Sequence, residues 1–424
     1  MTMPYLEGKV GHRVVLIFAA AYVLSYAFRA INAVIAPALM EDLQLSNADL
    51  GLLTSAYFLG FASMQLPLGS WLDKYGARRT ESALLLFAAV GAAIFAMSST
   101  LTGLWIGRAM IGVGVSSCLM APLKAYRVWY PAERQSQLGS WMLVFGTCGA
   151  LTTTMPVAAI LPIISWRGVF WIMSGLILLA TALLFFKLKP IETEINARQL
   201  ASQQDNATSD TASLATGYRA IFASPYFRRM ALLGAIHQGG FMAMQTLWAG
   251  PWMVRVLGLS LDQTSQVLFL FNFTLLLSYL VLSWWAPRYI SFNNKPGIPV
   301  LQAVSIGLAG TVIVQALMVF YVTSWSWILW VPFAILVTVT TLAQMHVSLT
   351  FPPQQAGRAN SAFNLTLFIG AFSIQWGIGL LIDLFMLQGW SQSDAMRLSW
   401  GLYVVLQLAV LIVFVKSRAE SISS

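Results

Sequence analysis

The sequence predicts an all-α polytopic membrane protein, with twelve transmembrane helices arranged as two six-helix parallel pseudo-repeats. Three observations predict it. Of 424 residues, 58% are hydrophobic and only 9% charged, where soluble domains carry about 25% charged residues. So few charges cannot coat a soluble surface of this size. Apolar runs bounded by turn residues recur twelve times, and twelve helices of about 20 residues would use roughly 240 positions, which matches the apolar fraction. Lys and Arg, finally, are distributed unevenly around those runs. Outer-membrane barrels are excluded, because their strands alternate polar and apolar residues and lack long apolar runs.

The runs fall at 13–37, 48–71, 80–100, 103–126, 137–160, 166–187, 229–252, 263–286, 299–321, 326–350, 360–385 and 397–416. The first follows Lys9 and Arg13, is too long for a signal-peptide core and lacks a small-residue cleavage site, so it reads as a retained span. The longest interruption, 188–228, holds Gln199, Ser202, Gln203, Gln204, Asp205, Asn206, Ser209 and Asp210. Such a stretch buries too little apolar surface to order itself and reads as a linker. It separates an N-terminal half, 1–187, from a C-terminal half, 229–424. Its end, 218–229, mixes aromatics with three arginines, as an interfacial amphipathic segment would.

With the N-terminus in the cytoplasm, nineteen of the 24 Lys and Arg lie in loops on the cytoplasmic side. Arg167, Arg255 and Arg397 lie opposite, and Arg29 and Arg108 stand inside spans. The positive-inside rule therefore places both termini in the cytoplasm of a multi-pass cell inner (plasma) membrane protein. It also absorbs the formal charge of +9, so no nucleic-acid partner is needed to explain that charge. Cys118 and Cys148 both sit in apolar runs, which indicates neither a disulfide framework nor a metal site. No cofactor is expected, and a monomer in the lipid bilayer suffices.

An internal repeat supports the six-plus-six arrangement. Leu45-Ser46 before span two corresponds to Leu259-Ser260 before span eight, an offset of 214. Tyr130-Pro131 after span four corresponds to Phe351-Pro352 after span ten, an offset of 221. Parallel repeats of this kind build transporters with the substrate site between the halves, near the midplane.

The loop after span two reads Gly69-Ser-Trp-Leu-Asp73-Lys74-Tyr-Gly76-Ala-Arg78-Arg79. Span four carries Arg108-Ala-Met-Ile-Gly112-Val-Gly114, and Trp129-Tyr-Pro131-Ala-Glu133-Arg134 follows it. These stretches resemble the motifs of the major facilitator superfamily, and the resemblance covers essentially the whole chain. It implies a cytoplasmic latch, broken and remade as the halves rock, with Asp73, Gly76, Arg78 and Arg108 as gating residues. In the second half Asp73 corresponds to Pro287 and Gly76 to Ile290, so the latch is expected to be asymmetric. For Arg108, near the outer end of its span, snorkelling to the interface is the alternative. Span five lacks the glycine-proline-diglycine motif of the family's drug/proton antiporters.

Arg29 lies about 16 residues into span one, hence about 24 Å along the helix. Tyr22, Ser25, Tyr26, Arg29, Asn32 and Ala33 recur at spacings of three and four, giving one polar helix face. Tyr26-Ala-Phe-Arg29 resembles the Tyr-x-x-Arg of organophosphate/phosphate antiporters and anion/cation symporters, which implies an arginine binding the anionic group of the substrate. A structural arginine pairing with backbone carbonyls is the alternative. The second, span-seven arginine of organophosphate antiporters is absent here, where span seven offers His237, Gln245 and Trp248. That moves weight from phosphates towards carboxylates. Asn360, Asn364, Phe368, Ala371 and Gln375 mark one face of span eleven, fit either for substrate or for holding helices together.

None of the fifteen acids stands near the centre of a span, although proton-coupled transporters usually carry such a carboxylate. If protons drive the protein, His237 is the first candidate to carry them, and Asp383 the second. Otherwise a counter-anion completes exchange. No Ser-His-Asp set, phosphate loop or metal cluster appears, so an enzyme is not expected.

The reading is thus transport of a small organic anion, carboxylate-type above all, by symport, exchange or facilitated flux through alternating access. Arg29, Tyr26, Asn32, His237, Gln245, Trp248 and Asn364 are the expected substrate residues. Efflux of amphiphilic or drug-like compounds and a transporter-like membrane sensor are the alternatives.

Overall fold

The structure, a computed structural model, describes Leu6 and residues 8–202, 214–291, 297–323 and 325–423. Among these, nine helices are long and apolar enough to cross a membrane. Three more complete the twelve: Asn47–Ser63, Ala132–Thr152, and a segment over 225–255 interrupted by π turns. Large apolar side chains remain on the outside, Ile163 and Phe320 about as exposed as a free chain allows at 80% and 81%. A soluble protein hides such surface, whereas lipid tails are as apolar as the side chains themselves.

Local chemistry sets the turns between spans. Helix Pro67–Met97 breaks at Gly76, whose φ of 78° belongs to a region costly for any side chain, so spans two and three meet at the motif glycine. Spans five and six meet within Met155–Ala182 at Ser165, a non-glycine at φ 57°. The repeat read from sequence is also a repeat of geometry. Ser46 and Ser260 are both N-caps closed into capping boxes, with Asp49 and Gln263 as their partners, which satisfies helix donors in both copies. Tyr130 and Phe351 are both extended, and Pro131 and Pro352 share φ and ψ to within 10°. At the degraded copy of the latch, Ile290 takes an ordinary extended conformation at φ −106° where Gly76 turns.

The linker, 188–228, is helical at both ends. Residues 188–202 continue span six as a helix, with Leu188 and Ile195 buried. Helices Leu214–Ala223 and Pro225–Leu233 follow, and Phe227 packs into the apolar core of the second half of the chain. Apolar residues at helical spacing in these flanks find a bundle to pack on, which composition alone does not reveal. Gln203, Gln204, Asp205, Asn206, Ser209 and Asp210 lie outside the described residues.

Candidate anion-binding site

Span one is two helices, Gly8–Ala30 and Asn32–Leu43, so regular hydrogen bonding is interrupted just beyond Arg29. Pro37 has no N–H to offer the Ala33 carbonyl. Gly250 of span seven sits against that carbonyl where any side chain would collide. The irregular stretch of span one is therefore packed directly on span seven.

Arg29 points into an aromatic cage. Its guanidinium carbon lies 4.6 Å from the Tyr26 ring centroid and 5.6 Å from those of Phe61 and Phe368. The Tyr57 hydroxyl faces the guanidinium, and Tyr22 and Tyr279 stand close by. Phe61 of span two and Phe368 of span eleven touch each other, ring centroids 4.2 Å apart. Among the described residues no carboxylate pairs with Arg29, and its Nε is buried without a hydrogen-bond partner. Cation–π contact compensates part of the charge, but the partly buried guanidinium retains at Nε an unused planar donor suited to a carboxylate or similar oxyanion. Asn32 opens the second helix of span one, three residues further on, buried, with its Oδ1 unpartnered.

Two more buried devices hold this region. Arg108 does not snorkel: it is 0% exposed, and its Nη2 donates to the Phe28 carbonyl at 3.2 Å. It lies among the Tyr57, Phe95 and Phe170 rings, so it braces the backbone next to Arg29 rather than a loop. Gly112 and Gly114 let span four meet the backbones of Tyr57 and Ala88, with no room for a Cβ. Gln375 joins three helices, donating to Thr54 at 2.8 Å and accepting from Thr246 at 3.1 Å.

The other expected substrate residues divide. Gln245 and Trp248 lie on a π turn, Met244–Trp248, packed against helix Asn32–Leu43. Gln245 is bonded to Asn272 at 3.0 Å, and the Trp248 N–H donates to the Gln375 carbonyl at 3.0 Å. Asn364 is one turn from Phe368 and accepts from Gln344 at 2.8 Å. His237 stands apart from Arg29, its Nε2 3.1 Å from the Gln407 carbonyl, beside a void of about 10 Å³ within the second half of the chain. Asp383 accepts three hydrogen bonds at the start of span two.

Two of the expected latch residues lie in ion pairs. Asp73 pairs with Lys124, while Arg78 donates to Glu192 at 2.5 Å and to the Phe185 carbonyl at 3.3 Å. The latter pair is shielded and the former exposed. Sequence reading missed Tyr57, Phe61 and Tyr279, which carry no motif and become neighbours of Arg29 only through packing of spans two and eight.

The sequence model of the Major Facilitator Superfamily matches residues 18–375. A probable sulfoacetate transporter of Cupriavidus necator is 25% identical over 264 residues, 60% of this chain and 60% of that protein. The hexuronate transporter of Escherichia coli K12 is 29% identical over 153 residues, 36% of this chain and 35% of that protein. The matched stretches thus span less than two thirds of either relative. A bacterial homologue of the human lysosomal transporter Spinster, solved inward-facing and unoccupied, superposes with a TM-score of 0.74 at 16% identity, covering 97% of this chain and 98% of that one.

Proposed function

The chain belongs to the major facilitator superfamily, and on that premise we propose that it transports a small organic anion by alternating access, with Arg29 as the anchor for the substrate's carboxylate or sulfonate group. The observation that carries this reading is a caged guanidinium that no carboxylate among the described residues neutralises. An unpaired charge at membrane depth is costly, so the site is poised for an anion that supplies the missing hydrogen-bond acceptors. The relatives named for sulfoacetate and hexuronate point to the same class of ligand, a small organic anion bearing a carboxylate, with a sulfonate besides in sulfoacetate.

In this reading Tyr26, Tyr57, Asn32 and Tyr279 complete the pocket, and Arg108 is a positioning residue acting through the Phe28 carbonyl. Residues 1–187 and 229–424 rock against each other about the site. Both termini face the cytoplasm of an inner membrane, as the basic loops dictate, and the protein works as a monomer. The contacts between the start of span two and the end of span eleven seal the opposite, outer face, leaving Asn364 and the amides around it on the cytoplasmic path.

Thermal stabilisation of the purified protein across a panel of organic anions and lipophilic cations tests this. Sulfoacetate, galacturonate or glucuronate should raise the melting temperature, and Arg29→Ala should abolish the shift. Stabilisation by lipophilic cations alone would favour efflux of amphiphiles and sink the anion reading.

A further inference from the structure

Glu81 is a buried carboxyl with no role in the site described so far. It lies five residues past Gly76, about 8 Å into span three at the rise of an α-helix. It is 0% exposed, and neither of its oxygens has a hydrogen-bond partner. An ionised carboxylate in that position would lose its hydration without compensation, a cost that burial of an unpaired charge never recovers.

Among the described residues no cation pairs with it. From span four the Cys118 thiol faces it, with the Tyr126 hydroxyl nearby. From span one Ser25 faces Cys118, with Tyr22 close to that thiol, and from span two Tyr57 is also close to it. On its own helix the two nearest cations in sequence do not pair with it: Arg79 is exposed, and Arg78 is turned away to Glu192 and Phe185. The neighbouring Ser117 hydroxyl is buried and unpartnered as well.

These residues form a path to the anion anchor. Glu81 meets Cys118, Cys118 meets Ser25, and the Tyr57 hydroxyl donates to the Ser25 carbonyl at 3.4 Å while facing Arg29. Resting on the anion reading above, we infer that Glu81 is a proton-carrying site linked through Cys118, Ser25 and Tyr57 to the anion at Arg29, so that one proton and one organic anion travel together. The carboxylic acid forms when the carboxylate takes a proton from water on the loading side. It reverts when the O–H bond breaks and the proton passes to water on the release side. With the anion bound, Arg29 is neutralised and the protonated acid adds no charge. With the anion gone, Arg29 is the one group on this path that can offset a carboxylate. Proton and anion therefore favour each other reciprocally.

Infrared difference spectroscopy on the full-length protein reads the site without any ligand. At neutral pH the wild type should show the carbonyl stretch of a buried carboxylic acid. That band should vanish in Glu81→Gln and shift in Cys118→Ala, which serves if the first variant does not fold. A wild-type spectrum without the band, or one unchanged by both variants, overturns the site. Binding of sulfoacetate and galacturonate then tests the linkage. Affinity should rise as pH falls through the alkaline range in which the empty site holds no proton, by up to about tenfold per unit, and should be flat there in Glu81→Gln. A flat wild-type profile overturns the coupling. Absence of binding by any organic anion tested would instead fail the transport reading, leaving the infrared result to decide the proton site.

Discussion

The Asp383 carboxylate of span eleven caps the start of span two, accepting from the Asn47 backbone N–H at 3.2 Å, from Asn47 Nδ2 at 2.8 Å and from the Ala48 N–H at 2.7 Å. These donors belong to the first turn of a helix, where a negative charge is favoured. Close packing continues below, with Gly51 against the Gln375 backbone and Gly379 against that of Asn47. One acid thus clasps residues 336 positions apart in sequence. Asp383→Ala should cost this closed face about 1–3 kcal/mol, enough to raise its opening several-fold. Hydrogen–deuterium exchange in residues 47–56 should accelerate in that variant and stay at wild-type rates in Glu41→Ala, whose side chain is exposed.

The latch pairs carry a ranking. Arg78 and Glu192 have side chains only 5% and 16% exposed, against 40% and 70% for Lys124 and Asp73. Exposed pairs are worth about 0–1 kcal/mol, whereas stranding one partner of a shielded pair costs more, about 3 kcal/mol. Arg78→Ala should therefore lower the melting temperature well below that of Asp73→Ala or Lys124→Ala. Equal losses in the three variants would show that shielding does not distinguish the pairs.

At the far end of span one Asp42 is bonded by Arg167 and by the Trp166 N–H at 3.1 Å. The Arg167 hydrogen bond holds its carboxyl below the usual range. A depressed carboxyl adds stability that is complete above its unfolded value and is lost as pH falls through its folded value. The pair is partly exposed, so its worth is at most about 1 kcal/mol. Melting temperatures measured down a series of acidic buffers should fall less steeply in Asp42→Asn than in the wild type. Parallel curves would remove the pair from the pH response.

Much of the fold was legible because its determinants are local or periodic. Apolar runs locate spans, and the Leu-Ser dipeptides at 45–46 and 259–260 mark helix starts that prove to be matching capping boxes. Gly76 was legible because its motif needs a residue free to adopt positive φ. Arg29 stood out as a cation inside an apolar run, and Tyr26 as its neighbour one turn away.

What sequence did not reveal depends on partners brought from distant spans. His237, a single histidine among apolar residues, has the same sequence signature whether it lines a pore or meets Gln407. Glu81 stands at the start of the apolar run 80–100, and only the packing of spans one and four around it turns it into a buried acid. Tyr279 and Phe61 are ordinary apolar-run aromatics until spans two and eight close on span one.

Everything functional turns on the unneutralised guanidinium, so the deciding measurement is equilibrium binding of sulfoacetate, galacturonate and glucuronate to the wild type, Arg29→Lys and Arg29→Ala by isothermal titration. A charge-assisted, bidentate contact worth about 3 kcal/mol corresponds to about 100-fold in affinity. The account predicts that at least one of these anions binds the wild type, that Arg29→Ala loses about that factor, and that Arg29→Lys falls between, because lysine keeps the charge but not the fork. Wild-type affinity in Arg29→Ala would contradict it.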